Sequence, residues 1–302
     1  MLRKLMLAMA LILSLGVTVS AKSDKKKDKK DNKQSGFTMW QLPMQTGNIG
    51  NSYVFRTSGG KIIVFDGGWP AEQLYLRGFL AALGNEVEAW FISHPHDDHM
   101  GVLWQILKDR QGLKINHIYH SRFSPELASL EQPYGEYAKD FYAVLDTVSI
   151  PVTDFREPGY TGAIDDFNFK ILGVVNEELH MNPFNNSSIV MKVWDDKKSI
   201  LFLADTGEES CNKLLNGPFR KDLSSDYVQV AHHGQNGCTK EFYDSIDFKA
   251  CLWPTAYWIW TNDQGGGYNT GNLKTMETRK WMEEKGIKEH HVVCLEGLFE
   301  LN

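Results

Sequence analysis

The chain carries the run Ser93-His94-Pro95-His96-Asp97-Asp98-His99 directly after the apolar segment Val87-Glu88-Ala89-Trp90-Phe91-Ile92. The first of these stretches holds three imidazoles and two carboxylates. Pro95 restricts the backbone between two of the imidazoles. We therefore expect His94 and His96 to leave the end of a strand as a pair that binds one metal ion.

The remainder of the run predicts a second ion close to the first, bound by Asp98 and His99. Mixed nitrogen and oxygen donors favour zinc or a similar divalent metal over calcium, which prefers oxygen alone. We expect Asp97 to face solvent or to cap a helix that starts near Met100. A solvated polar loop is the alternative, but His occupies only 10 of 302 positions, and chance would give this pattern in about one chain in a thousand.

Segments typical of strands and helices alternate along the rest of the chain. Apolar runs predict strands over 38–42, 51–57, 61–66, 87–92, 115–119, 167–175, 188–194, 199–204, 227–231 and 249–253. Helical spacing predicts helices over 71–83, 100–110, 136–147, 207–216 and 273–285. Gly59-Gly60 marks a hairpin turn. The order predicts an α/β fold in which two mixed sheets pack together with helices outside them.

Two further strand ends carry candidate metal ligands. The apolar segment 199–204 ends at Asp205, a carboxylate that could bridge two ions. The segment 227–231 ends at His232 and His233. Aspartate after a strand is also ordinary turn chemistry, so each signal alone is weak, but together with the first run they predict one composite site.

The N-terminus predicts export. Residues 1–21 combine Arg3 and Lys4 with an apolar stretch and a small-residue cleavage pattern, which is typical of a secretory signal peptide. Residues 22–35 contain no apolar side chain and predict a disordered Lys-rich linker. The chain would then leave one domain over 36–302 with no stable membrane span, either periplasmic or secreted according to the host's cell envelope.

The charge balance excludes one class of partner. The net charge of −6 becomes −12 for residues 36–302 once the two cations of the signal peptide and the linker's seven Lys against three Asp are removed. Such a domain repels long nucleic acids. We expect a small-molecule substrate, and the oligomeric state stays open.

Four cysteines and one aromatic segment leave alternatives open. The cysteines form no Cys-x-x-Cys pair, which excludes a zinc ribbon, while disulfides remain possible but unnecessary for a core of this size; they are Cys211, Cys238, Cys251 and Cys294. Cys238 either packs in the core, which we favour, or lies near the metals. The segment 253–260 holds four large aromatic residues, which either line a pocket by stacking or cation–π contact or simply pack in the core.

Several motifs together resemble the metallo-β-lactamase superfamily. They are Phe65-Asp66-Gly67-Gly68, His94-Pro95-His96-Asp97-Asp98-His99, Leu203-Ala204-Asp205 and Ala231-His232-His233-Gly234. With Asn185-Asn186-Ser187-Ser188-Ile189-Val190, the last motif looks most like the branch that includes the hydrolase domain of the competence protein ComEC and bacterial phosphorylcholine esterases. The resemblance implies an αββα sandwich with metals at one edge of the two sheets.

The resemblance also implies a ligand set. His94 and His96 would bind the first ion; Asp98, His99 and His232 would bind the second, with Asp205 bridging. Asp66 would hold ligand loops by hydrogen bonds. His233 would contact substrate or a neighbouring carboxylate, or make a purely structural hydrogen bond.

One position departs from the resemblance. Many members have a third histidine for the first ion before the strand that corresponds to 188–194, where this chain has Asn185 and Asn186. An amide oxygen is a weaker ligand than an imidazole, so the first ion would bind less tightly or complete its shell with water. His180, slightly upstream, could instead reach the site.

The implied function is an exported hydrolase with two divalent ions, for which zinc is favoured. A bridging hydroxide would attack a phosphodiester or a related small ester, and Asp98 would orient that nucleophile or relay its proton. A β-lactam or lactone hydrolase is one alternative, although Asp205 stands where many zinc β-lactamases have cysteine. A metal-stabilised binding protein without catalysis is another. The natural substrate stays open.

Overall fold

A computed structural model describes residues 36–302 of the chain. The signal peptide expected over 1–21 and the linker expected over 22–35 lie outside the described residues. Among residues 36–302, no helix has the length and apolar character needed to cross a membrane.

The described residues form sixteen strands. These are β1 (Thr38–Gln41), β2 (Ser52–Arg56), β3 (Ile62–Asp66), β4 (Glu86–Val87), β5 (Ala89–Phe91), β6 (Lys114–Ile115), β7 (Ile118–His120), β8 (Val152–Asp154), β9 (Thr161–Ile164), β10 (Phe167–Gly173), β11 (Val190–Trp194), β12 (Ser199–Phe202), β13 (Tyr227–Gln229), β14 (Ala250–Trp253), β15 (Glu289–Val292) and β16 (Phe299–Leu301).

Ten α-helices connect the strands within the same described range. These are α1 (Gln73–Ala82), α2 (Asp97–Lys108), α3 (Pro125–Ser129), α4 (Tyr134–Leu145), α5 (Pro183–Asn186), α6 (Glu208–Asn216), α7 (Lys240–Asp244), α8 (Tyr257–Trp260), α9 (Thr275–Lys285) and α10 (Val293–Glu296).

Two seven-stranded mixed sheets form the centre of the fold. The first has the order β16-β1-β2-β3-β5-β7-β8 and the second β15-β14-β13-β12-β11-β10-β9, while β4 and β6 pair separately. In the first sheet, the pairs from β16 to β3 are antiparallel and the pairs from β3 to β8 are parallel. In the second sheet, the pairs from β15 to β12 are parallel and the pairs from β12 to β9 are antiparallel. The predicted fold class, two mixed sheets flanked by helices, is confirmed.

Aromatic residues hold the two sheets together. Phe202 of the second sheet meets Tyr53, Phe55 and Phe65 of the first, with ring centroids 4.8, 5.8 and 5.0 Å apart. All four side chains are fully buried. Tilted and edge-on contacts at these distances stabilise a core beyond simple burial, so the sheets form one rigid base for the loops at their edge.

Helices cover the outer faces of both sheets. The core against the first sheet includes Leu76 of α1 and Leu103 of α2, and the core against the second includes Leu214 of α6 and Met282 of α9. Successive residues of a central strand therefore point to opposite faces of the sheet and pack in different cores. This is why the strands read as continuous apolar runs instead of alternating with polar residues.

Some predicted boundaries are wrong. Helix α2 begins at Asp97, three residues before the predicted start, so Asp97 and Asp98 lie in its first turn. Acidic residues are stabilised at that position because the helix dipole is positive there. The predicted strand 87–92 is divided between β4 and β5, since the first part pairs with β6 outside the main sheet.

The aromatic segment after β14 has two environments. Trp253 is fully buried and meets Trp260 edge-on at 5.3 Å. Tyr257 is 64% exposed and Trp258 is 36% exposed. Packing therefore accounts for part of the segment, while two rings remain available at the surface.

A disulfide joins Cys211 of α6 to Cys238, with Cα atoms 5.6 Å apart. Cys238 is buried in the core on the outer face of the second sheet, as favoured from the sequence. Both sulfurs lie near the backbone oxygen of Thr206, at 3.9 and 3.8 Å. The bridge thus ties together the loops that follow β12 and β13.

Candidate metal centre

The strand ends of both sheets place polar side chains at one edge of the sandwich. Asp66 ends β3, and the run 93–99 leads from β5 into α2. In the second sheet, Asp205 follows β12 and the pair His232-His233 follows β13. The ends of neighbouring parallel strands meet at one edge, as the alternation predicted, so residues distant in sequence converge there.

Four side chains form the tightest cluster at this edge: Asp98, His99, Asp205 and His233. One nitrogen or oxygen of each lies within 4.8 Å of the others, and all four residues are buried. His233 Nε2 is 3.0 Å from Asp98 Oδ2 and 3.2 Å from Asp205 Oδ2. His99 Nε2 is 3.2 Å from Asp205 Oδ1. These are donor types that bind zinc and related divalent ions.

The cluster atoms are close together without being paired by aligned hydrogen bonds. Six buried side-chain atoms of this region have no hydrogen-bond partner: Asp98 Oδ2, His99 Nε2, Asn185 Oδ1, Asp205 Oδ1, His232 Nδ1 and His233 Nε2. Buried polar atoms are nearly always satisfied in native proteins. Nitrogen and oxygen atoms that approach one point without bonding to each other fit a cation at that point.

The second nitrogen of each cluster imidazole has a fixed acceptor. His99 Nδ1 lies 2.8 Å from Asp66 Oδ2, and His233 Nδ1 lies 2.8 Å from the backbone oxygen of Pro254. Since both acceptors are oxygens without a proton, the imidazoles donate from Nδ1. Each Nε2 then presents a lone pair to the cluster when the ring is neutral.

The electrostatic environment of the cluster favours the binding of positive charge. Burial would lower the pKa of His99, but the surrounding carboxylates, Asp205 foremost, raise that pKa well above its usual range. Burial opposes protonation of His233 too, while Asp205 and Asp98 raise its pKa to about 10. Burial likewise opposes ionisation of Asp205, yet the adjacent imidazoles hold its pKa well below the usual range. Either a proton or a metal ion would provide this positive charge.

His94 and His96 form a second group beside the cluster. His94 Nε2 is 3.0 Å from His96 Nδ1, and the His94 ring centroid is 4.1 Å from that of His99. Burial, and after it the neighbouring imidazoles, hold the pKa of His94 well below its usual range. His94 is therefore neutral, which is the state that binds metal. The predicted pair is brought together next to the predicted second-ion residues.

Asp66 is the hydrogen-bonding centre behind the ligands. Its two carboxylate oxygens accept from Asn51 Nδ2 at 2.7 Å, from Ser93 N at 2.7 Å, from Ser93 Oγ at 2.9 Å and from His99 Nδ1 at 2.8 Å. Ser93 Oγ also lies 3.0 Å from His94 Nδ1. The geometry matches the supporting role expected for Asp66. Its carboxylate contacts His99 at Nδ1, the nitrogen that points away from the cluster.

The backbone near the ligands adopts an unusual conformation. Four residues other than glycine have positive φ there: Asp66 (58°), Ala204 (46°), His232 (52°) and His233 (55°). The left-handed region costs about 1–2 kcal/mol for such residues. Strain of this kind collects at functional sites, where the surrounding structure maintains it.

The structure separates the two adjacent imidazoles after β13. His233 is fully buried within the cluster, whereas the His232 side chain is 16% exposed and its Nε2 lies 3.7 Å from Asp205 Oδ2. His232 Nε2 is also 3.4 Å from Asn185 Nδ2. His233 thus occupies the position expected of a ligand, and His232 lies at the margin between Asp205 and Asn185. Which of the two binds metal stays a prediction.

Three residues are candidates for the third ligand of the first ion, and the structure places them differently. Asn185 is buried, with Oδ1 unpartnered and Nδ2 beside His232. Asn186 instead accepts from Ser210 N at 3.2 Å and so supports the α6 loop. His180 is exposed, and its Nε2 lies 3.2 Å from a backbone oxygen three residues earlier. Of the three, Asn185 faces the site.

Sequence reasoning missed two side chains that contact the His94 and His96 pair. Ser188 Oγ lies 3.3 Å from His94 Nδ1, and Glu131 Oε1 lies 2.9 Å from His96 Nε2. Ser188 lies within the quoted motif over 185–190 and could have been considered there. Glu131 lies between α3 and α4, 35 residues from His96, and carries no signal in the sequence.

Comparison with known proteins places the chain among relatives of one fold. The family model for the metallo-beta-lactamase superfamily matches residues 46–242. Among solved structures, the metallo-beta-lactamase fold protein YhfI from Bacillus subtilis has a TM-score of 0.51 at 12% identity, covering 88% of this chain and all of that one. A search of curated proteins finds no significant match.

Two further solved structures are similar. A mutant of the CmlA beta-hydroxylase has a TM-score of 0.52 at 13% identity, covering 88% of this chain and 54% of that one. A diphosphatase described as belonging to the PhnP family has a TM-score of 0.45 at 11% identity, covering 88% of this chain and 97% of that one. At 12% and 13% identity, the similarity to YhfI and to the CmlA mutant concerns the fold alone.

Proposed function

Since the chain belongs to the metallo-β-lactamase superfamily, we propose that it is a hydrolase that uses two divalent metal ions to cleave a phosphodiester or a related small ester. One observation carries this proposal. Buried nitrogen and oxygen atoms of Asp98, His99, Asp205 and His233 converge without hydrogen-bond partners, beside the His94 and His96 pair. Zinc is the favoured metal because the donors are imidazoles and carboxylates.

Bound divalent ions would activate a water molecule and neutralise negative charge that develops on the substrate. Within the cluster, Asp98 would orient the attacking water or relay its proton, because its Oδ2 has no aligned hydrogen-bond partner, although it lies 3.0 Å from His233 Nε2. His233 Nε2, 3.0 Å from Asp98 Oδ2 and 3.2 Å from Asp205 Oδ2, would bind metal together with these two carboxylates. Asp66 keeps His99 in the tautomer whose Nε2 faces the cluster.

The charge of the chain and two exposed rings support the proposed substrate class. The excess of acidic side chains disfavours a long polyanion, so a small ester is preferred to a nucleic acid. Tyr257 and Trp258 are exposed in α8, just beyond the Pro254 carbonyl that holds His233. These rings provide stacking surface for an organic substituent of the ester.

Export forms part of the proposal. The signal-peptide pattern of residues 1–21 supports it, and so does the disulfide between Cys211 and Cys238, because such bonds persist in oxidising compartments. Fractionation of the native host, with mass measurement of the mature N-terminus, tests the idea. Cleavage near residue 21 and absence from the cytosol are expected; an intact N-terminus in the cytosol would refute export.

Activity is tested on protein loaded with zinc, using chromogenic phosphodiester, β-lactam and lactone substrates side by side. We expect turnover of the phosphodiester. Asp98→Ala should reduce it by at least 100-fold without changing the circular dichroism spectrum, whereas His180→Ala, an exposed imidazole outside the cluster, should retain it. Turnover confined to the lactam or lactone would replace the ester by that class, and bound metal with no turnover would favour a binding protein.

A further inference from the structure

The environment of His96 contains a carboxylate that the ligand set does not include. Glu131 lies between α3 and α4, and its Oε1 is 2.9 Å from His96 Nε2. Its side chain is only 22% exposed. The other oxygen, Oε2, is 3.5 Å from the backbone nitrogen of Phe184. Glu131 therefore contacts both the imidazole and the helix α5 that carries Asn185.

Two rings keep the His96 imidazole in place. Phe184 stacks on one face, with centroids 5.1 Å apart and an interplanar angle of 15°. Tyr134 meets the ring edge-on at 4.5 Å. With its plane restricted in this way, the direction of each His96 nitrogen is determined, and Nε2 has Glu131 as its partner.

The proton positions on the pair follow from the acceptors. An ionised carboxylate cannot donate, so the hydrogen bond to Glu131 requires the proton on His96 Nε2. Ser93 Oγ donates its single proton to Asp66 and can then only accept from His94 Nδ1; Ser188 Oγ, 3.3 Å from the same nitrogen, is a second oxygen that can accept there. His94 Nε2 and His96 Nδ1 then face each other 3.0 Å apart as two lone pairs. That arrangement is repulsive until a cation lies between them.

We propose that Glu131 is a positioning residue for the first metal ion: it holds the proton on His96 Nε2 and thereby directs the His96 Nδ1 lone pair, opposite His94 Nε2, to that ion. A carboxylate behind an imidazole ligand also raises the basicity of the ligand. This chain has Asn185 where the family resemblance implies a third histidine. A more basic His96 would strengthen the first site, which lacks that histidine.

The inference rests on the metal centre of the proposed function but not on the reaction or substrate. Its test uses Glu131→Ala, with Glu131→Gln as a variant that keeps an acceptor without the charge. Glu136→Gln is the matched control, because Glu136 is an exposed carboxylate of α4 whose ion pair is with Lys139 at 3.4 Å. None of these residues belongs to the ligand set.

Two measurements are made on the full chain. Imidazole ¹⁵N shifts of the metal-free protein, assigned with His96→Gln, report the His96 tautomer. Competition with a chelator for zinc gives the affinity of each ion. In the wild type and in Glu136→Gln we expect a single Nε2-protonated form of His96. Glu131→Ala should produce a mixture of His96 tautomers. It should also lower the affinity for one of the two zinc ions by about 10- to 100-fold and leave the affinity for the other within about twofold. Glu131→Gln should give intermediate values.

An unchanged His96 tautomer and unchanged zinc affinities in Glu131→Ala would overturn the inference, and so would a chain that binds no zinc. If Glu131→Ala does not fold, Glu131→Gln decides the matter through the same two measurements. Zinc binding that weakens as expected, in a protein that hydrolyses no ester, would refute the proposed function while supporting the role of Glu131.

Discussion

Asp66→Asn tests whether one buried carboxylate organises the ligand loops. In the wild type, Asp66 accepts four hydrogen bonds at full burial. The asparagine side chain loses the least stability when its NH₂ group takes the place of Oδ1. In that orientation the NH₂ group faces the Ser93 N–H. That leaves a buried donor without an acceptor, at about 2 kcal/mol, and removes charge from the three remaining bonds, at about 1 kcal/mol each.

The free energy of unfolding should therefore fall by about 5 kcal/mol, a large part of the stability of an ordinary domain. Urea denaturation of metal-free protein, followed by tryptophan fluorescence, measures this loss. Zinc affinity, measured separately, should fall by about 10- to 100-fold because His99 loses its charged partner.

Asp97→Asn is the matched control for this prediction. Asp97 is half-buried in the first turn of α2, so the same chemical change removes only a helix-dipole interaction worth about 0.3–1 kcal/mol. A loss below 1 kcal/mol in Asp66→Asn, with unchanged zinc affinity, would refute the account of Asp66.

Three other perturbations test the core, the disulfide and the imidazole assignment. Phe202→Ala should cost about 3–5 kcal/mol in urea denaturation, since its ring joins the two sheets; a cost under 1 kcal/mol would contradict that packing. Reduction of the Cys211–Cys238 bond, which closes a separation of 27 residues, should lower stability by about 3.5 kcal/mol, and the Cys211→Ala/Cys238→Ala protein should not respond to reductant. His233→Ala should lose one tightly bound zinc in elemental analysis, whereas His232→Ala should keep it; the reverse result would exchange their roles.

The sequence predicts the layered fold because apolar strands buried on both faces read as continuous runs. It fails where packing provides little signal. Strands β8 and β9 are short and largely exposed, so no apolar run marks them. The sequence predicts the start of α2 three residues too late, because Asp97 and Asp98 resemble loop residues unless the helix dipole is considered.

The composite site was predictable to the level of strand ends but not of atoms. His232 and His233 have the same side chain and nearly the same left-handed backbone, so only the three-dimensional course of the loop decides which ring enters the cluster. Glu131 reaches His96 from a separate helical region. No periodicity connects positions 35 residues apart, and the contact exists only through tertiary packing.

Anomalous diffraction from crystals of zinc-loaded protein, recorded on both sides of the zinc absorption edge, shows directly whether the cluster binds metal. We expect one zinc peak about 2.0–2.2 Å from the nitrogen and oxygen donors of Asp98, His99, Asp205 and His233, and a second between His94 and His96. A fully loaded crystal whose zinc peaks all lie away from these side chains would refute the metal centre.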